Sequence, residues 1–468
     1  MVVGEFVTHK QVIVIGGGPG GYNAAIRAAQ LGLDVLLVER SKVGGVCLNE
    51  GCIPSKLFAH AAAQLRKLRH LDELGVKLNG DYTFDIRALQ TKKDSVVSRL
   101  TNGVESLLKK HGVEVVQGTA SFISSERIGV ERGEAFDLYE SNQIIIATGS
   151  SYSYPQGMEP DHSRVLGAAS IYQLEEVPNH LLVYGSDYRA LEAAAAFASF
   201  GSRVTIVLDG KEFPFDSAIN RELGRQMKKA KMKYVKGAEV EKVTVTSEGV
   251  ALALHIRGEK REIAGSHLYV TGESAPCVED LHISAAGIQQ QENGLIATNK
   301  RMETSVTGIY AVGDLVSAVP LASTAIRQGK VAAENCGGKN SAIESSIVPH
   351  VIHFLQPVAF AGLTEEAAKA HDYQISTGQF QLSGNGFAEI TGEKSGFVKT
   401  VSEQGTKKLL GFHAVGEGAI DLISQGVLAL ELVAREEDLT SIYYPHPSFN
   451  EAWMEAIEDI EGLAIHKV

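Results

Sequence analysis

The chain is poor in cysteine, with four residues in 468, at positions 47, 52, 277 and 336. That is too few for a disulfide framework. Cys277 and Cys336 stand alone and Cys47/Cys52 is spaced CxxxxC, so the ligand pattern of a zinc site is missing as well. Basic residues are also in short supply: 44 Lys and Arg face 56 Asp and Glu, a formal net charge of −12. Nucleic acid needs a basic face for its phosphates and is not an expected partner. No apolar run is long enough to span a bilayer. The opening MVVGEFVTHK lacks the basic segment and apolar core of a secretory signal, and a cytoplasmic location is the expectation. What is present is an ordinary globular composition, 44% hydrophobic and 21% charged with 48 glycines. The length suggests about three domains.

QVIVI, residues 11–15, reads as a short buried strand. It runs into Gly16-Gly-Gly-Pro-Gly-Gly21 and then into the helical stretch YNAAIRAAQLG; a second strand, DVLLVE, ends at Glu39. Strand, glycine turn, helix, strand and acid together form a dinucleotide-binding pattern. Gly16 makes the tight turn, Gly18 lets backbone approach a diphosphate, and Gly21 lets the helix pack on the strand. The phosphates belong at the helix N-terminus, where unpaired N–H groups and the macrodipole favour negative charge. Glu39 is placed to accept from ribose hydroxyls.

Downstream stands Gly44-Gly-Val-Cys47-Leu-Asn-Glu-Gly-Cys52-Ile-Pro-Ser-Lys56. On a regular helix, residues five apart are separated by about 7.5 Å of rise, too far for a relaxed disulfide. A bond between these cysteines demands a distorted turn, which Gly51 allows, and Pro54 suits the first turn of a following helix. A helix N-terminus aimed at the sulfurs lowers thiol pKa and raises reactivity. Two buried, inert thiols are the alternative. The glycines and Lys56, just beyond a nucleotide site, favour a redox pair.

GGVCLNEGCIPSK closely resembles the active-site signature of the dihydrolipoyl dehydrogenases, a branch of the FAD-dependent pyridine nucleotide–disulfide oxidoreductases. CLNxGCIPSK points to this branch rather than to the glutathione or mercury branches, and the resemblance covers nearly the whole chain. It implies an α/β fold with two Rossmann-like nucleotide-binding domains and a C-terminal α+β dimerisation domain. The FAD domain comprises 1–150 and 271–345, the NAD-type domain 151–270 and the interface domain 346–468. The resemblance further implies that Cys47 exchanges with a lipoyl-type dithiol or disulfide, presented on a carrier protein or in a multienzyme complex. Cys52 lies against the flavin, and Lys56 sits near flavin N5 with Glu192 as its partner. Asn142–Gly149 and Gly308–Asp314 match two further strand ends of that family. FAD is accordingly expected against Gly16, Gly18, Pro19, Gly20, Gly21, Glu39, Arg40, Gly45, Val46, Lys56, Gly118, Thr148, Gly149, Gly313, Asp314 and Ala322, with Asp314 on the ribityl chain.

Near the C-terminus, Tyr443-Tyr-Pro-His446-Pro447-Ser-Phe-Asn-Glu451 holds a histidine between two prolines, in extended geometry ahead of a helix and with a bond that can be cis. Ser448-x-x-Glu451 is a capping box, which explains both residues structurally. The resemblance assigns HPxxxE instead to an acid–base histidine and its carboxylate, with His446 taking a thiol proton and Glu451 orienting the ring. Tyr444 replaces the first histidine of the family's HxHP, and Ser448 replaces its threonine. In the family this histidine reaches the cysteines of the other subunit, which implies an obligate homodimer. The apolar stretch AIDLISQGVLALELVA is compatible with burial at that interface.

A second turn, Tyr184-Gly-Ser-Asp-Tyr-Arg-Ala-Leu-Glu192, repeats the first at a constant offset: Gly16 and Gly32 match Gly185 and Gly201, both 169 residues on. In that register Gly18 becomes Asp187, Gly21 becomes Ala190 and Glu39 becomes Leu208. Asp187 places a side chain and a charge where a diphosphate lies, a repulsion of roughly 3 kcal/mol for charges about 5 Å apart at an effective dielectric near 20. Its other reading is a helix N-cap, worth about 1 kcal/mol. The family's GRRPN is replaced by Thr271-Gly-Glu-Ser-Ala-Pro-Cys277. NAD, the family's acceptor, is therefore expected to bind weakly. A flavin oxidoreductase with an electron partner other than NAD, and a non-catalytic FAD-bound scaffold subunit, are the alternatives.

Overall fold

The structure, a computed structural model, describes residues 6–68, 71–77, 83–317, 319–343 and 347–467. The expected start of the interface domain, between 345 and 346, lies outside the described residues. The chain forms two compact units. One comprises Met1–Leu57, Arg87–Pro155 and Gly272–Glu344; the other comprises Phe58–Ile86, Gln156–Thr271 and Ser345–Val468.

The first unit is built on a five-stranded parallel sheet ordered Ile309–Ala311, Ile144–Ile146, Val12–Ile15, Val35–Glu39, Glu114–Gln117. Its central strands are apolar throughout because both faces are covered. Alternation along each strand sends Val12, Val14, Leu37 and Ile145 to one face, where they pack against Ala24, Ala28, Val331 and Ala332. These come from helices Pro19–Gln30 and Ala322–Cys336. Ile13, Ile15, Leu36 and Ile144 face the other way, onto Phe122, Ile128 and Tyr139 of a four-stranded sheet. The two helices approach closely at paired glycines: a Cβ on Gly329 would stand 2.3 Å from the Gly20 carbonyl oxygen.

The second unit repeats the motif. Its parallel sheet runs Val165–Leu166, His267–Val270, His180–Tyr184, Arg203–Val207, Lys233–Val235. Helix Tyr188–Ser199 lies 169 residues after helix Pro19–Gln30 at both ends (19 to 188, 30 to 199), so the repeat offset holds as one folding unit used twice. A three-stranded antiparallel sheet, Ala238–Val245, Val250–Ile256 and Glu259–Gly265, is attached.

The C-terminal part of this unit is an antiparallel sheet ordered His350–Ile352, Val358–Gly362, Leu409–Val415, Phe397–Glu403, Ile375–Gln381. Helices Ala419–Glu431 and Glu451–Glu458 cover one face, with Trp453 edge-on to Phe412 at 5.1 Å. The apolar stretch AIDLISQGVLALELVA is helical only over Ala419–Glu431, although its composition favours a helix to its end. Val433 takes a left-handed conformation (φ 54°), the chain reverses there, and Leu432 and Val433 are exposed. Among the described residues, no helix is long and apolar enough to cross a membrane.

Candidate active site

The first glycine turn is shaped by what it excludes. A Cβ at Gly16 (φ 100°) would lie 2.4 Å from the Ala147 carbonyl oxygen, and one at Gly21 would lie 1.8 Å from that of Gly16. At Gly18, by contrast, a Cβ meets nothing closer than Gly45 Cα at 4.0 Å. The space over Gly18 is therefore open, while the glycines beside it are compressed. Helix Pro19–Gln30 starts at extended Gly18 with no side-chain cap and no acid in its first turn, and Pro19 has no N–H to satisfy. The N–H groups of that turn face no anion supplied by the cap. Gly45 (φ 58°) presses against the same turn: a Cβ there would come within 2.8 Å of Gly18 Cα. Its neighbour Val46 is exposed. Glu39 is held at its strand end, accepting from Gly17 N–H at 2.6 Å and from Ser41 N–H at 2.7 Å. Gly118 N–H donates to the Glu39 carbonyl at 3.0 Å. Arg40 points to Asp280 at 3.3 Å, an exposed pair worth little.

A second group of residues gathers at the ends of strands Ile144–Ile146 and Ile309–Ala311. Ser150 Oγ donates to Asp314 Oδ2 at 2.6 Å, and Thr148 Oγ1 donates to the Cys277 carbonyl at 2.7 Å. Gly149 and Gly313 both have positive φ, and Gly313 N–H donates to Gln328 Oε1 at 2.7 Å. Ala322 opens helix Ala322–Cys336, whose N-cap, Leu321, offers no side-chain oxygen. In its first turn Thr324 Oγ1 is buried with no hydrogen-bond partner among the described residues. Two uncapped helix starts, an orphaned hydroxyl and open space over Gly18 fit an elongated dinucleotide such as FAD. Ser150 and Gln328, which hold Asp314 and Gly313, carried no signal in the sequence, since each acts through a contact distant along the chain.

The cysteines flank the kind of break that their spacing demanded. Cys47 lies in the short helix Gly45–Asn49 and Cys52 opens helix Cys52–Leu68, with Gly51 N–H turned back to the Val46 carbonyl at 2.8 Å. The two residues sit as thiols, Cys47 hydrogen-bonded to Cys52. The expected lowering of thiol pKa is reversed at Cys47. Its hydrogen bond with Cys52 and then its burial push the thiol up, against a smaller downward pull from the Lys56 charge. Two sulfurs that share one charge cannot both be lowered.

In the second unit, His446 Nδ1 meets Glu451 Oε1 at 2.7 Å, while Glu451 Oε2 accepts from Ser448 N–H at 2.9 Å. The capping box is thus half made. Ser448 Oγ accepts from Asn450 N–H at 3.1 Å, and the helix proper begins at Glu451. The His446–Pro447 bond is cis. The imidazole is 79% exposed. With Nδ1–H donating to the carboxylate, the lone pair lies on Nε2. Tyr444, which stands in place of a histidine, donates its hydroxyl to the Leu439 carbonyl at 2.9 Å. Burial, and secondarily Glu458, push that phenol up to about 12.

The second turn is closed by its own side chains. Asp187 caps helix Tyr188–Ser199, Oδ1 accepting from Ala190 N–H at 3.0 Å. Its Oδ2 accepts from Arg189 Nε at 2.8 Å and from Nη2 of the same guanidinium. Arg189 neutralises much of the carboxylate, so the expected repulsion of a diphosphate is smaller than a bare aspartate implies. What opposes phosphate is occupation: the helix start already holds an anion. Gly185 (φ 148°) packs on Thr271, whose Oγ1 would lie 2.3 Å from a Cβ. Ala190 and Leu208 are fully buried, so the position of the ribose acceptor faces the core. Glu192, also buried, accepts from His353 N–H at 3.0 Å. Arg189 was missed in the sequence, although a cation two residues after a capping acid was the available signal.

Comparison with known proteins gives this geometry its context. Residues 10–329 match the family model for pyridine nucleotide-disulphide oxidoreductases, and residues 348–457 match the model for that family's dimerisation domain. Dihydrolipoyl dehydrogenase from Staphylococcus aureus is 36% identical over 468 residues, covering 100% of both chains. That of Bacillus subtilis (strain 168) is 35% identical, again over 100% of each. The crystal structure of LpdA from Mycobacterium tuberculosis has a TM-score of 0.88 at 26% identity, over 97% of this chain and 99% of that one. The HOCl-induced flavoprotein disulfide reductase RclA from Escherichia coli shares the fold, with a TM-score of 0.85 at 24% identity over 96% and 99% of the two chains.

Proposed function

This chain belongs to the pyridine nucleotide-disulphide oxidoreductase family, and from that premise we propose how its residues divide the work. It is an FAD-dependent disulfide oxidoreductase resembling dihydrolipoyl dehydrogenase, in a family that uses FAD and NAD and carries a dimerisation domain. The proposed domain division is an FAD domain of 1–150 and 271–345, an NAD-type domain of 151–270 and an interface domain of 346–468.

Gly16, Gly18, Pro19, Gly20, Gly21 and the start of helix Pro19–Gln30 take the diphosphate, and Glu39 takes the ribose, with Arg40, Gly45, Val46 and Gly118 around them. Thr148, Gly149, Gly313, Asp314 and Ala322 take the ribityl end. Bound FAD supplies the two-electron acceptor that reoxidises the dithiol. Starting from the oxidised Cys47–Cys52 pair, one sulfur of a dihydrolipoyl group attacks Cys47 Sγ, and Cys52 leaves as thiolate. The second substrate sulfur then displaces Cys47, so the substrate leaves as a disulfide and the pair is reduced. His446 Nε2 accepts a thiol proton, and Glu451 holds the ring and stabilises its cation. Lys56 and Glu192 serve the flavin side. In the proposed homodimer, each protomer's His446 serves the other protomer's cysteines. The lipoyl-type substrate arrives on a carrier protein or within a multienzyme complex. A cytoplasmic location suits a cysteine pair used for exchange rather than for structure.

NAD use is proposed to be weakened, because Asp187 caps the helix that should meet its diphosphate and Leu208 replaces the ribose acceptor. The observation that carries the main reading is the contact of Cys47 with Cys52 across a broken helix. Anaerobic titration of the flavin spectrum tests it: dihydrolipoamide bleaches the flavin, NADH does so only at much higher concentration, and Cys47→Ser abolishes the dithiol response. An unchanged dithiol response in Cys47→Ser would overturn the role given to Cys47, and a flavin that no dithiol bleaches in the unsubstituted protein would leave only a scaffold role.

A further inference from the structure

Helix Glu451–Glu458 carries a second imidazole–carboxylate pair built like the first. Glu451 uses Oε1 for His446 Nδ1 and Oε2 for a backbone N–H of the segment bearing that histidine. One helical turn on, Glu455 uses Oε1 for His466 Nδ1 at 2.5 Å. Its Oε2 accepts from the N–H groups of Ile465 at 2.9 Å and His466 at 3.2 Å. Glu455 is 3% exposed, so its carboxylate depends on these partners, whereas the His466 side chain is 68% exposed. Lys467 Nζ adds bonds to both oxygens of Asp459 at 2.6 Å, and Asp459 Oδ2 accepts from Gln379 N–H at 2.8 Å. The tail also lies close on Gly384, where a Cβ would come within 2.8 Å of the His466 carbonyl oxygen. Residues 465–467 are therefore strapped along the helix that starts with Glu451.

We propose that His466 is a positioning residue for the His446–Glu451 pair: as a cation on the C-terminal tail it clasps Glu455 and electrostatically supports the turn from which Glu451 holds His446. The proposal rests on the acid–base reading of that pair. The charges around His466 are strongly acidic. Glu451, Glu455, Glu458, Asp459 and Glu461 come from the helix and its extension, set against Lys467 and against Lys407, which reaches Glu461 at 2.6 Å. The hydrogen bond with Glu455 and then the Glu455 charge raise the His466 pKa, with Glu451 and Glu458 adding to it against a slight opposing effect of burial. A raised folded-state value means the clasp is complete below the ordinary histidine range and is lost as pH rises through that raised value. Removing the cation leaves the helix more acidic, which favours protonated His446. Proton acceptance by His446 then fails at a higher pH.

The test follows flavin reduction by dihydrolipoamide against pH in the FAD-loaded dimer, for wild type, His466→Gln, His466→Lys and His446→Gln. His466→Gln should move the acid-side fall-off up by about 0.3 pH unit, the size of one lost charge about two helical turns away in a solvent-like dielectric. His466→Lys should restore it, and hydrogen exchange at 463–467 should quicken in His466→Gln alone. If His446→Gln keeps both rate and fall-off, the acid–base reading itself is wrong. If His446→Gln erases the fall-off but His466→Gln leaves it in place, the proposal is overturned. An equal rate loss at every pH with faster tail exchange also overturns it, since that is a purely structural effect.

Discussion

The two βαβ units, 169 residues apart, differ most where their helices begin. In the first, extended Gly18 leaves the helix start without a side chain, and among the described residues a Cβ added there would meet nothing closer than Gly45 Cα at 4.0 Å. In the second, Asp187 occupies that place, caps Ala190 N–H and holds Arg189. Both helices need an acceptor for their first N–H groups. One leaves that role without a side-chain cap; the other fills it from its own chain. A binding site of this kind is closed by satisfying it internally, and the fold is kept because the cap stabilises the same helix.

Four substitutions test this contrast. The largest effect is expected of Gly18→Asp, which copies the second unit into the first. The chain has room for the side chain, so the loss falls on the ligand. FAD affinity should drop by about two decades, on the scale of roughly 3 kcal/mol, read as flavin retained after gel filtration. Full retention would show that the space over Gly18 is not where phosphate lies. Gly21→Ala comes next: its Cβ would meet the Gly16 carbonyl oxygen at 1.8 Å. Thermal unfolding should show a loss of about 1–3 kcal/mol from this overpacking. Asp187→Gly should strengthen NADH binding by about tenfold, near 1.4 kcal/mol, as measured by flavin bleaching. It frees the helix start but leaves Leu208 in place, so full restoration would mean that the ribose acceptor counts for little. The smallest is Ala190→Gly, expected to cost about 1 kcal/mol of stability through lower helix propensity and one lost buried methyl. A cost as large as that of Gly21→Ala would mean the two helices meet their strands in the same way.

Much of the site was legible because its signals are local. The glycine turn, the CxxxxC pair around Gly51 and the HPxxxE run each act within a few residues, and the acid ending the second strand belongs to the same strand–helix–strand unit. The repeat was legible too, since helix register survives without gaps. The early end of helix Ala419–Glu431 was not, because Leu432 and Val433 look as helical and apolar as their neighbours until the reversal at Val433 exposes them. The half-made capping box was hidden for a similar reason: the carboxylate half forms, but Ser448 Oγ is taken by the Pro445 carbonyl and the Asn450 N–H instead of the Glu451 N–H.

The order of residues alone determined which turn leaves its helix start open, which cysteines come together and which histidine stands beside a carboxylate, because such arrangements are set by spacing and backbone freedom. Tertiary packing was needed to decide that Leu208 belongs to the core, that Ser150 and Gln328 secure Asp314 and Gly313, and that the tail returns to Glu455 through His466. Most of these depend on which segments the folded chain brings side by side. The charge and hydrogen-bonding capacity of a side chain are inscribed in its type, but its partner is chosen by packing.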